Sequence, residues 1–121
     1  MKTKTLLVAA SSLELLTGAA LFAVPSLVVS FLFSATFNSG GDAVARVGGF
    51  ALFSPGAACW PIGKGDFTQR SRTIFVFNLL TACFLGYLKL KGDFTSILLL
   101  PACILHGVLA LLLARPAYTP S

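Results

Sequence analysis

Four polar side chains lie where the surrounding sequence is almost wholly apolar: Glu14, Arg46, Asn78 and His106. A carboxylate and a guanidinium can neutralise each other as an ion pair, and an amide and an imidazole can hydrogen-bond between helices. A carboxylate with an imidazole is also a combination that could carry protons or contact a polar ligand. An ionisable group inside a bilayer is costly by a few kcal/mol on insertion scales, so each of these residues needs a partner or a use. The expected arrangement is an intramembrane polar network of all four, with Glu14 paired to Arg46 and with Asn78 and His106 fixing helix register.

Other chemistry is poorly provided for. Cys59, Cys83 and Cys103 are odd in number and have no metal-ligand spacing, so they read as small buried hydrophobes. Cys83 and Cys103 fall at comparable depth on neighbouring spans, yet neither zinc nor disulfide spacing supports a site there. One histidine cannot supply both axial positions of a bis-His haem, and no lysine sits mid-span for a Schiff base. No nucleophile stands with a base at triad-like spacing. The expectation is therefore a protein without a catalytic site, cofactor or metal.

The elements that must position the four polar residues are apolar stretches of about bilayer length. With 56% hydrophobic and 11% charged residues in 121, the composition departs from the roughly 25% charged of soluble domains. Four crossings are expected at 5–24, 43–60, 73–88 and 95–114, in a single domain over 1–121: an all-α, up-and-down, four-helix transmembrane bundle. The first stretch follows Lys2 and Lys4 and resembles a secretory signal, but its apolar part is too long and holds Glu14, so it reads as a retained crossing. Pro25 breaks the chain and fits the first turn of a short helix over 26–33, interfacial or folded under the bundle, the alternative being one long kinked helix. Asn38, Ser39, Gly40 and Gly41 mark a loop from Phe37 to Asp42.

Pro55 should kink the second span, which ends at Trp60, an interfacial anchor, and Pro61. A polar connection, Ile62 to Arg72, leads into the third. Gly92 and Asp93 make the tight turn into the fourth, which carries Pro101 in its first half and stops at Arg115 and Pro116. The short link between the third and fourth spans makes them antiparallel neighbours.

Small residues at helical spacing show which way the polar groups face. Ala10, Glu14 and Gly18 form one column, Asn78, Ala82 and Gly86 another, and Ala102, His106, Ala110 and Ala114 a third. All three predict polar groups turned into the bundle. From the expected span ends, Glu14 lies about 14 Å deep, His106 about 12 Å and Asn78 about 8 Å. Arg46 lies about 21 Å from that edge, with a stem able to reach one turn towards Glu14. Gly48, Gly49, Gly56 and Ala45 give the second span a small-residue face suited to packing within the monomer rather than to dimerisation.

The net charge of +5 reflects topology rather than nucleic-acid binding. Lys2, Lys4, Lys64, Arg70, Arg72 and Arg115 fall on one face, against Lys89 and Lys91, with Arg46 at the edge, on the other. The positive-inside bias places both termini in the cytoplasm. Inverted halves of the transporter kind are not evident.

The run Glu14, Leu15, Leu16, Thr17, Gly18 ahead of Pro25, then Ala45, Arg46, Val47, Gly48, Gly49, then Cys59 and Trp60, Asn78, and Pro101 to His106, resembles small uncharacterised four-helix bacterial inner-membrane proteins of loosely DoxX-like type. The resemblance spans the chain and implies an up-and-down bundle in the cell inner membrane with Glu14, Arg46, Asn78 and His106 at matching polar positions. DoxX-type proteins are associated with redox complexes as membrane subunits, whereas this sequence carries no redox-cofactor motif.

Two functions are in contention. The first is a non-catalytic accessory or structural subunit of a larger membrane assembly, with the bilayer and other membrane subunits or self-association as partners and no nucleic acid. The alternative is a small carrier or binding protein for a lipid-like or quinone-like ligand, with proton linkage through Glu14 and His106 as its optional extension. A pocket open to lipid at the Glu14, Asn78 and His106 layer would favour the second, and dense packing there the first.

Overall fold

The computed structural model describes residues 2–119; Met1 and positions 120–121 of the expected domain lie outside the described residues. Among those described there are five helices and no strand: α1 (Thr3–Ala23), α2 (Pro25–Phe33), α3 (Ser39–Cys59), α4 (Phe67–Lys91) and α5 (Leu99–Tyr118). The all-helical expectation holds, and so does the short helix after the first span, with Pro25 at its first turn. α1, α4 and α5 are long and apolar enough to cross a membrane, which marks the chain as a helical membrane protein.

The expected count of four crossings is corrected to three. α3 matches α1 in length at 21 residues, but Ser39, Asp42, Arg46, Ser54, Pro55 and five glycines dilute its apolar content. Length alone suits a bilayer; composition does not.

Helix boundaries move where caps are strong. The expected loop at Phe37–Asp42 shortens because the Asn38 side chain accepts a hydrogen bond from the Gly41 N–H at 2.9 Å and Asp42 sits in the first turn, both favourable at a helix N-terminus. The expected connection over 62–72 shortens likewise. Asp66 accepts from the N–H groups of Thr68 and Gln69 at 2.9 and 3.1 Å, so α4 starts about two turns before the predicted 73–88 span. Gly92 ends it in the left-handed conformation at φ 80°.

α5 shifts the other way, from 95–114 to Leu99–Tyr118. The Ser96 hydroxyl donates to the Phe31 carbonyl and accepts from the Leu98 N–H, which holds this stretch as a loop against α2. Pro101 consequently falls in the first turn of α5, where its missing N–H is no loss. Pro116 does not stop the helix, which continues to Tyr118.

The helices pack as two antiparallel pairs, α1 with α3 and α4 with α5. Leu7, Ala10, Cys59, Ile74, Leu109 and Leu113 join the pairs in a shared core. α2 folds over the end remote from the termini, where Phe33 meets Phe94 at 5.2 Å between ring centres. The outward surface is strongly apolar, Leu80 being 64% and Leu111 78% exposed, as suits a protein solvated by lipid.

Candidate functional site

The small-residue columns place their polar members inward as predicted. Ala10, Glu14, Gly18, Asn78 and Ala110 are buried, and Ala82, Gly86, Ala102, His106 and Ala114 are half-buried. Measured along the helices at 1.5 Å per residue, Glu14 lies about 16 Å from Thr3, Asn78 about 16 Å from Phe67 and His106 about 18 Å from Tyr118.

The structure brings two of the four polar residues into direct contact. His106 Nδ1 lies 2.7 Å from Asn78 Oδ1, while Asn78 Nδ2 donates to the Ile74 carbonyl at 2.8 Å. The amide thus bonds its own helix through one end and α5 through the other. The His106 and Phe77 rings meet nearly perpendicular, with centroids 6.4 Å apart. One turn further along, Cys103 Sγ donates to the Ala82 carbonyl at 3.3 Å.

The expected Glu14–Arg46 ion pair is not formed. Arg46 donates through Nε to Asp42 Oδ2 at 2.8 Å and through a terminal nitrogen to the Phe22 carbonyl at 2.6 Å. Phe22 is in the last turn of α1, so the guanidinium serves an unpaired carbonyl at the negative end of that helix. Two features outcompete Glu14: a carboxylate one turn away on α3, and a carbonyl that would otherwise lack a donor.

Glu14 is only 1% exposed, and its Oε1 has no hydrogen-bond partner. The hydroxyls of Ser11 on α1 and Ser71 on α4 are also fully buried and unpartnered. Neither serine stood out among the apolar residues of the sequence. Their spacing carried the signal: Ser11 precedes Glu14 by three residues and Ser71 precedes Asn78 by seven, on the same helix faces.

Two further arginines repeat what Arg46 does. Arg72 Nε donates to the Ala117 carbonyl at 2.7 Å, at the end of α5, and its guanidinium lies 5.6 Å from the Tyr118 ring centre. Arg70 donates to the Trp60 carbonyl at 3.1 Å, just past α3. Residues read from charge patterning as topology signals also serve as caps.

The three cysteines are free. Cys59 is buried in the core, whereas Cys83 is exposed, which corrects its expected burial. Among the described residues no three His, Cys, Asp or Glu side chains cluster as a metal site. Of the two cavities described, one lies at the terminal end of the bundle and one between α1 and α3, and neither is lined by Glu14, Asn78 or His106.

No family model, curated protein or solved structure matches this chain.

Proposed function

We propose that the protein is an accessory or structural subunit of a larger membrane assembly, of the small four-helix inner-membrane type that its sequence resembles. One observation carries this reading: α3 runs antiparallel beside a crossing helix and turns a strip of small side chains away from it. Gly49 and Gly56 lie against the stretch of α1 from Ser11 to Phe22, so α3 is held closely along most of that crossing helix. Its outward face carries Val44, Val47, Ala51, Ser54 and Ala58, all exposed and spaced alternately three and four residues apart. That is the interval at which a helix meets a neighbouring helix, and small side chains there allow close approach. The excess of Lys and Arg at the terminal end supports placing both termini in the cytoplasm.

The carrier reading would require space beside the polar layer, and neither described cavity reaches it. A photo-crosslinking residue placed at Val47, in cells expressing the protein at native level, should capture another membrane protein, whereas the same probe at Leu80 should not. Recovery of uncrosslinked monomer alone from both positions, and from mild-detergent purification, would refute the proposal.

A further inference from the structure

We propose that the terminal end of the bundle holds a binding site for one anionic phospholipid. A cavity of about 560 Å³ opens there between the start of α1, the start of α4 and the last turns of α5. Its charged lining is basic: Lys2 and Arg115 border it, and neither forms an ion pair with another described residue. The rest is largely apolar, supplied by Leu6, Phe67, Leu111 and Leu112. Cations above an apolar wall match a molecule with a phosphate at one end and an acyl chain at the other.

The neighbouring charges leave the cavity its sign. Asp66, the carboxylate at the head of α4, is engaged by the Thr68 and Gln69 N–H groups. Arg72 is turned to the Ala117 carbonyl and the Tyr118 ring. Pro116 adds an acceptor: lacking an N–H, it leaves the Leu112 carbonyl without its usual donor four residues on, and both residues line the cavity. A headgroup that carries hydroxyls as well as a phosphate can serve that carbonyl, so phosphatidylglycerol fits better than phosphatidylcholine. The position, at the ends of three helices, sets the phosphate at headgroup level and the chain alongside α5.

Native mass spectrometry of the full chain, released from micelles doped equally with phosphatidylglycerol and phosphatidylcholine, tests this directly. The wild type should retain one phosphatidylglycerol in preference to phosphatidylcholine. A basic residue near an anionic surface contributes about fivefold in affinity, so Lys2→Gln with Arg115→Gln should lower that retention about thirtyfold. Both side chains are exposed, so helical content by circular dichroism should not change. Lys89→Gln with Lys91→Gln, at the opposite end, should leave lipid retention as in wild type, and Leu111→Gln should weaken it by removing acyl contact. Undiminished preference in the Lys2/Arg115 variant, or loss of preference in the Lys89/Lys91 variant, would overturn the proposal. Complete displacement of the lipid by inorganic phosphate would also overturn it, by showing an anion site without lipid recognition.

Discussion

The two helix pairs adhere by different means. Between α1 and α3 the contact is backbone on backbone. A Cβ at Gly18 would stand 2.6 Å from the Phe53 nitrogen and 2.7 Å from the Gly49 carbonyl oxygen, and one at Gly49 would stand 2.7 Å from the Gly18 carbonyl oxygen. Between α4 and α5 the contact runs through side chains: His106 to Asn78, Cys103 to Ala82 and Arg72 to Ala117. Lipid gives little hydrophobic drive for helices to associate, so close van der Waals approach and interhelical hydrogen bonds remain as the sources of adhesion. Close approach dominates the α1–α3 pair, with the Arg46–Phe22 bond at one end of it, and hydrogen bonds dominate the α4–α5 pair. The first tolerates no added volume, while the second tolerates volume but not loss of a polar partner.

The largest expected effect breaks the α1–α3 side. Gly49→Leu forces the two backbones apart and should destabilise by about 3 kcal/mol or more, read as an earlier thermal loss of helical ellipticity in detergent. Gly48→Ala is its control. A Cβ at Gly48 meets only Leu21 Cδ2, at 3.6 Å, so the variant should be neutral or more stable by up to about 1 kcal/mol through helix propensity. Equal losses at Gly48 and Gly49 would refute backbone contact as the basis of this pair.

On the α4–α5 side the effect is smaller. A double-mutant cycle of Asn78→Leu and His106→Leu should return a coupling of about 1 kcal/mol. A coupling indistinguishable from zero would remove the hydrogen bond as the feature that sets this pair apart. Arg46→Met should cost about 0.5–1 kcal/mol by withdrawing the cap from the end of α1, and Asp42→Asn should cost less, since the Phe22 carbonyl keeps its donor.

Glu14→Gln should have the smallest effect, within about 0.5 kcal/mol, because no cation is left unpaired when the carboxylate is replaced. A loss of several kcal/mol at Glu14 with none at Asp42 would show that Arg46 turns to Glu14 in the membrane, and would join the two pairs through an ion pair.

The inward direction of Glu14, Asn78 and His106 was legible from neighbours at four-residue spacing, because helix periodicity fixes which residues share a face. The partners were not. Arg46 could reach in either direction along its helix, and only the position of the Phe22 carbonyl decided where its donors went. Ser71 lies in what composition reads as a polar connection, although Asp66 starts the helix before it. A single capping side chain sets such a boundary without altering the local apolar content.

By itself the amino-acid sequence determined that this chain is helical, that apolar stretches of bilayer length dominate it, and that small residues mark the faces on which its helices meet. Those properties follow from periodicity and composition, which act locally along the chain. Tertiary structure alone decided that α1 takes α3 as its close neighbour, that Asn78 finds His106 while Glu14 finds no cation, and that basic residues from distant segments close the ends of other helices. Each of these depends on which atoms lie within about 3 Å after packing, a distance that spacing in sequence does not specify.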